Sequence, residues 1–108
     1  MREELGPERW EAIGHFLSDG DYLAFNLRDY RGAVASYQHA WDILDNEWQQ
    51  RTGGIDILKG IADFSLRSED PELAAETLEL LSPNAALIAN AEFSDALRDL
   101  TTLADRKP

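Results

Sequence analysis

Two histidines lie among carboxylates at helical spacing, and these residues are the best suited to chemistry. Glu11, His15 and Asp19 follow one another at four-residue steps, and Asp42 follows His39 three residues later. Imidazole and carboxylate groups are ordinary ligands of transition metals. The sequence has no Glu-x-x-His pair of the di-iron type, however, and a solvated helix face explains the spacing equally well. We therefore expect no metal site.

Two serines lie within one helical turn of the histidines and could act as nucleophiles. Ser18 follows His15, and Ser36 precedes His39. Such pairs are ordinary helix neighbours, whereas nucleophilic catalysis needs a base positioned against the nucleophile. The sequence also lacks a glycine-rich phosphate loop and the known catalytic motifs. We expect a protein that is not an enzyme and that binds no cofactor.

Acidic charge dominates the composition. The 21 aspartates and glutamates outnumber 10 lysines and arginines, which gives a net charge of −11. Such a surface repels nucleic acids and anionic membranes, and it attracts basic proteins. No basic residue occurs from Ser68 to Leu97, a span that contains Glu72, Glu76 and Glu79.

Two explanations of this acidic run remain open. Acids are favourable in the first turn of a helix, which accounts for Glu69, Asp70 and Glu72. That argument does not extend to Glu76 and Glu79. Like charges three or four residues apart destabilise a helix by about 0.2–0.5 kcal/mol per pair. The run is therefore either a solvated face or an acidic face that binds a basic partner.

Length and composition also restrict the compartment and the number of domains. The 108 residues fit one domain, and the absence of cysteine excludes disulfides and thiolate metal sites. Residues 1–10 contain no apolar run of the signal-peptide kind, and no apolar stretch approaches the length of a membrane span. We expect a cytoplasmic protein with no membrane partner.

Apolar periodicity predicts a long helix over residues 7–28, after a frayed end at 1–6. Pro7 is a favourable first residue. The apolar positions recur every three or four residues at Trp10, Ile13, Leu17, Gly20, Ala24 and Leu27. In the alternative interpretation the helix breaks at Ser18 to Asp21, because that stretch has the composition of a turn.

A second long helix is predicted over residues 29–51. Asp29 is its expected N-cap, and Gly53-Gly54 is its expected stop. Packed antiparallel, the two helices form a hairpin over 7–51 in which small residues face large ones. The expected pairs are Leu27–Tyr30, Ala24–Ala33/Val34, Gly20–Tyr37, Leu17–Ala40/Trp41, Ile13–Leu44 and Trp10–Trp48.

The second half of the chain predicts a shorter hairpin and a closing helix. The hairpin spans 55–81 and consists of helices at 55–67 and 71–81, the second capped by Asp70. The closing helix is expected over 84–104, with a possible fresh start at Ser94. No stretch has the alternation of a strand, so the expected fold class is all-α.

The first hairpin resembles a tetratricopeptide repeat. Asp29-Tyr30-x-x-Ala33-x-x-x-Tyr37-x-x-Ala40 is similar to the alanine-aromatic-alanine pattern of the second helix of that repeat. Leu58-x-x-Ile61-Ala62 and Ala74-x-x-x-Leu78 resemble the two helices of a further repeat. Ala33 and Ala74 lie two helical turns further apart than the family spacing, which implies a longer first hairpin.

The resemblance implies a concave ligand face built from the first helix of each repeat. The matching positions are His15, Ser18, Tyr22, Phe25, Asn26, Asp56, Lys59, Asp63, Leu66 and Arg67. Tyr22 and Phe25 also fall outside the Leu17–Leu27 seam. They are expected either to pack on another helix or to form an exposed anchor for a partner.

The predicted architecture is therefore an antiparallel stack of about five helices, similar to tetratricopeptide proteins. We expect a non-catalytic interaction module whose acidic surface binds a basic protein or peptide. An immunity (antidote) protein for a toxin and a small chaperone or adaptor both fit. The predicted partner-binding residues are Tyr22, Phe25, Asp56, Asp63, Glu72, Glu76 and Glu79. The alternative is a structural protein that forms homodimers through its apolar hairpin face.

Overall fold

The computed structural model describes residues 6–84 and 93–106. Within these ranges the chain forms six α-helices, a 3-10 turn at Ser82–Asn84 and no strand, so the all-α prediction is confirmed. Residues 1–5, 85–92 and 107–108 lie outside the described ranges, with most of the predicted frayed end and the first part of the predicted closing helix. The helices are α1 (Pro7–Phe25), α2 (Tyr30–Ile43), α3 (Asn46–Gln49), α4 (Thr52–Ser68), α5 (Pro71–Leu81) and α6 (Ser94–Ala104).

Helix α1 runs without a break through Ser18 to Asp21, as predicted, but it ends at Phe25 rather than at residue 28. Arg28 adopts the left-handed conformation with φ of 55°. The amide of Asp29 then donates to the Leu23 carbonyl at 2.8 Å, a pattern typical of helix ends. Leu27 consequently lies in the turn, 57% exposed, and not in the apolar seam.

The prediction of one helix over 29–51 is wrong. Leu44 is extended, with ψ of 136°, and separates α2 from the short α3. Asp45 caps α3 by accepting from the Trp48 amide at 3.3 Å. The Gln49 side chain donates to the Trp41 carbonyl at 3.0 Å and so satisfies one end of α2. The periodicity concealed this break because Leu44 is still buried and Trp48 still packs against the core.

The glycine pair at 53–54 does not end a helix but belongs to the first turn of α4, which begins at Thr52 rather than residue 55. A Cβ atom on Gly54 would lie 2.3 Å from the carbonyl oxygen of Gln49. The glycine is therefore required by the close approach of two backbone segments, one at the end of α3 and one at the start of α4.

We expect Gly54→Ala to lower the free energy of unfolding by about 1–3 kcal/mol, because a backbone oxygen cannot rotate away as a side chain can. Gly53→Ala is the matched control, since no atom lies within 4 Å of its Cβ position. That change should be neutral or stabilising by up to about 1 kcal/mol. Denaturant unfolding measures both, and equal losses in the two variants would contradict the assignment.

The helices pack in an order that follows the chain. Helix α1 packs on α2, α2 on α4, α4 on α5 and α6, and α5 on α6. Helix α5 has the predicted bounds, and Asp70 caps it as expected by accepting from the amides of Glu72 and Leu73. The two small residues predicted to face each other in the first hairpin, Ala24 and Ala33, are both buried.

Tyr37 joins three helices at the centre of this packing. Its ring lies between Gly20 of α1 and Gly60 of α4, where added Cβ atoms would come within 2.5 and 2.4 Å of ring carbons. The Tyr37 hydroxyl donates to Asp21 at 2.6 Å. Burial, reinforced by this hydrogen bond, raises the pKa of Tyr37 well above its ordinary value. The predicted contact with Gly20 is confirmed, whereas Gly60 was not predicted.

Candidate functional site

Exposed apolar side chains concentrate at one end of α1. Among the described residues, the large apolar side chains that are exposed are Trp10 (43%), Tyr22 (55%), Phe25 (60%) and Leu27 (57%). Three of them follow one another at the C-terminal end of α1 and in the turn after it, while Trp10 lies near the other end. Large apolar groups in water mark a candidate contact surface.

Phe25 is exposed, but contacts with residues of α4 hold its ring in place. Its ring meets Phe64 of α4 edge-on, with centroids 5.8 Å apart, and Phe64 in turn meets Tyr37 at 4.9 Å. The Arg67 guanidinium lies 5.8 Å from the centre of the Phe25 ring. Phe25 therefore packs on another helix and also remains open to solvent.

Tyr22 lies one helical turn before Phe25 and borders a groove on the protein surface. This open groove of about 360 Å³ runs between α1 and α2. Small residues of α2 form one side of it, and Phe16 and Leu23 form the other. Tyr22 and Asp19 stand at its edge. The surface around Tyr22 is therefore continuous with this groove.

Two of the predicted acidic residues, Asp56 and Asp63, are exposed and lie on α4. Asp63 accepts from Arg67 at 2.9 Å, and this arginine also contacts Phe25, so Asp63 belongs to the surroundings of the exposed ring. On its other side, Asp63 borders a shallow groove of about 380 Å³ between α4 and α6, together with Lys59 and Asp95. Asp56 lies two turns further from Phe25 along the same helix.

The acidic run on α5 has a basic partner that the sequence did not reveal. Arg31 of α2 lies 3.0 Å from Glu76, 3.2 Å from Asp70 and 3.9 Å from Glu72. The hydrogen bond to Asp70 is the main cause that raises the pKa of Arg31. Although burial opposes its ionisation, hydrogen bonds from the Leu73 amide and Arg31 lower the pKa of Asp70. The repulsion expected between Glu72 and Glu76 is thus offset by a cation from another helix.

The seven predicted residues therefore fall into two groups. Tyr22, Phe25, Asp56 and Asp63 lie on α1 and α4, whereas Glu72, Glu76 and Glu79 are exposed on α5. The groups meet where the two hairpin turns lie side by side, joined by the ion pair between Arg31 and Asp70. We call this region the turn-end surface: Tyr22, Phe25, Leu27, Arg31, Asp63, Arg67, Asp70 and Glu72. The sequence missed Leu27, which apolar periodicity assigned to the interior.

The contact with Arg31 reverses the expected effect of a charge change on α5. From the sequence, lysine at position 76 would relieve repulsion. We now expect Glu76→Lys to lower the free energy of unfolding by up to about 1 kcal/mol, because it removes an ion pair and places a second cation beside Arg31. Glu79→Lys, one turn further along α5, is the control and should have no such effect. Urea unfolding at low and high salt tests this, since screening should abolish the difference between the variants.

His15, Ser18 and His39 are exposed on helix surfaces, whereas Ser36 is buried. His15 lies 3.9 Å from Asp19, with both side chains exposed. His39 stacks on Phe16, with centroids 5.1 Å apart. The Ser36 hydroxyl donates to the Phe16 carbonyl at 2.7 Å and not to His39. Across residues 6–84 and 93–106, no three or more histidine, aspartate or glutamate side chains are grouped closely enough to bind a metal ion.

Nor does any helix in the described ranges combine the length and the apolar character that crossing a bilayer requires.

Comparisons of the sequence with protein-family models, with curated proteins and with solved structures give no match. The assignment of a role to the turn-end surface therefore depends on its own geometry and charge.

Proposed function

We propose that this chain is a non-catalytic protein-binding module whose acidic surface binds a basic protein or peptide. An immunity protein for a toxin and a small chaperone or adaptor are the roles that suit such a module. The observation that carries the proposal is the exposure of Tyr22, Phe25 and Leu27 together at one end of a strongly acidic chain. Exposed aromatic side chains are typical anchors of protein interfaces, because they bury a large area when a partner docks.

The packing order supports a tetratricopeptide-like arrangement as part of this proposal. Two helical hairpins, α1–α2 and α4–α5, follow each other, and α6 packs on both helices of the second hairpin. Helix α2 carries the motif that resembles the family. In this arrangement the additional length of the first hairpin corresponds to the bend and short helix between Leu44 and Arg51. Stacked hairpins generally present extended surfaces to protein ligands.

Charge supports a basic partner. The net charge of −11 attracts cations over the whole surface and accelerates their approach at low salt. At the turn-end surface itself, Arg31 and Arg67 are already paired with carboxylates. Several of those carboxylates, including Glu72 and Asp63, remain more than half exposed and can accept further hydrogen bonds from lysine or arginine.

A selection from a random peptide library tests the proposal without knowledge of the natural partner. With the unaltered protein as bait, we expect peptides that combine lysine or arginine with apolar residues. With Tyr22→Ser/Phe25→Ser as bait, the same peptides should be lost. Trp10→Ser is the matched control, because it removes an exposed aromatic ring at the other end of α1, and it should retain them.

Two outcomes of the selection would contradict the proposal. One is the selection of peptides without basic residues. The other is the same set of peptides from the unaltered bait and the double variant. Sedimentation velocity on the unaltered protein measures its mass in solution. The alternative function, a structural homodimer, requires a mass near twice that of one chain. If such a dimer dissociates in Tyr22→Ser/Phe25→Ser, the same surface serves self-association and the proposal of a basic partner is wrong.

A further inference from the structure

Arg28, in the turn between α1 and α2, has a backbone conformation that is unfavourable for an arginine. Its φ of 55° lies in the left-handed region. Residues with a Cβ atom are strained in this region, whereas glycine adopts it readily. The conformation itself is needed, because it brings the Asp29 amide to the Leu23 carbonyl, 2.8 Å away, where α1 ends. The backbone therefore favours glycine at position 28 and does not explain an arginine.

The Arg28 side chain also has no partner within residues 6–84 and 93–106. It is exposed. The arginine side chains that donate hydrogen bonds in these ranges are Arg9, Arg31, Arg51, Arg67 and Arg98. Arg28 is not among them, although the chain contains 21 acidic residues. All the donors of its guanidinium are therefore available to another molecule.

The position of Arg28 indicates what kind of group this molecule offers. Arg28 lies in the turn-end surface, between Leu27 and Arg31, and both Leu27 and Phe25 are more than half exposed. Arginine and aromatic residues are enriched among the contacts that dominate protein interfaces. A guanidinium binds a carboxylate or a phosphate through two parallel hydrogen bonds. Because the net charge of −11 repels nucleic acids, a carboxylate on a protein is the better match.

We propose that Arg28 binds a side-chain carboxylate of the partner and thereby sets the specificity of the turn-end surface. The partner segment then carries one aspartate or glutamate beside the apolar residues that meet Phe25 and Leu27, although its charge as a whole is basic. A single acidic residue opposite Arg28 fixes the register of the segment on a surface that otherwise attracts only cations. The role of Arg28 rests on the proposed function, since it adds a feature to the same partner.

The peptide selection tests this role with Arg28→Gly and Glu69→Gly as further baits. Glu69 is the matched control, because it has the same φ of 55° in the turn between α4 and α5. The peptides have amidated C-termini, so every carboxylate belongs to a side chain. From the unaltered protein we expect basic and apolar residues with one aspartate or glutamate at a fixed distance from an apolar position. Glu69→Gly should retain this acidic preference, and Arg28→Gly should lose it.

Affinities of the original peptides separate a direct contact from the general effect of charge. Removal of one positive charge would by itself strengthen the binding of a basic peptide. We expect the opposite for Arg28→Gly, a weakening of about tenfold, because the partner's carboxylate loses its hydrogen bonds. Neither glycine variant should lower the Tm, since glycine adopts a φ of 55° without strain.

Reversal of the charge at position 28 gives a change of specificity. With Arg28→Glu as bait, the selected peptides should carry lysine or arginine where the original peptides carry an acid. The role of Arg28 is wrong if the unaltered protein selects no acidic residue at a fixed position, or if Arg28→Gly binds the original peptides as tightly as the unaltered protein does. In either case, basic peptides that still depend on Tyr22 and Phe25 would leave the proposed function intact. Peptides with the acidic residue but without basic residues would contradict the proposed function and support the contact with Arg28.

Discussion

Alanine at both Gly20 and Gly60 should lower the free energy of unfolding by about 3–5 kcal/mol. The Tyr37 ring lies between these two positions, and each added Cβ would come within 2.5 Å of a ring carbon. A single substitution allows the ring to shift toward the remaining glycine. The double variant closes both sides, while the hydrogen bond to Asp21 holds the hydroxyl end in place.

The matched control for this prediction is Gly14→Ala. Gly14 lies in the same helix as Gly20, but no atom is within 4 Å of its Cβ position. Because glycine is unfavourable in a helix interior, that variant should be more stable by about 1 kcal/mol. Thermal and denaturant unfolding give the comparison. A double variant at Gly20 and Gly60 that is as stable as Gly14→Ala would show that Tyr37 does not occupy this position.

The second large effect is expected on binding. For a peptide selected on the unaltered protein, Tyr22→Ser/Phe25→Ser should weaken the affinity by about 30-fold or more, since interface anchors commonly contribute 2 kcal/mol or more. The change should appear mainly in the dissociation rate. Both side chains are more than half exposed, but Phe25 also packs on Phe64, so the free energy of unfolding should fall by about 1–2 kcal/mol.

The salt dependence of peptide binding measures separately how much charge contributes to the association rate. The association rate of the same peptide should fall as ionic strength rises, because screening shortens the range of attraction to about 8–10 Å. Trp10→Ser should match the unaltered protein in both rate constants at every salt concentration. An association rate that does not depend on salt would mean that the acidic charge has no part in recognition.

The sequence predicted two contacts of the first hairpin correctly, although Leu27, which was expected to face Tyr30, lies exposed in the turn. Gly20 and Tyr37, and Trp10 and Trp48, were paired from helical spacing alone, and both contacts are present. Short turns fix which faces of neighbouring helices meet, so periodicity is sufficient there. The same reasoning could not identify Gly60, because the packing of α4 on the first hairpin is not encoded in the spacing of either segment.

Helix boundaries were predicted less well, because the residues at the helix ends carry weak or unusual signals. The stretch Asp45-Asn46-Glu47 carries the cap and first-turn acid of a new helix, and this signal marks the break after α2. At Arg28 and Glu69 the chain turns with φ of 55° at residues other than glycine, so the usual marker of a helix end is absent. Leu27 was assigned to the interior because the end of α1 was placed too late.

The candidate site shows a different limit of sequence reasoning. Tyr22 and Phe25 were identified because they fall outside the apolar seam, and that reasoning depends on one helix only. The charge balance of Glu72 and Glu76 depends on Arg31, which is distant in sequence and near only in the folded chain. A span without basic residues is therefore a poor guide to local charge in a helical stack.

Chemical-shift mapping of a selected basic peptide on the labelled protein tests the central claim most directly. The account predicts the largest perturbations at the turn-end surface, in the amides of residues 22–31 and 63–72. These perturbations should be absent in Tyr22→Ser/Phe25→Ser at the same peptide concentration. Perturbations centred elsewhere in the described part of the chain, such as at Lys59 and Asp95 or at Trp10 and Trp48, would contradict the assignment of the binding surface.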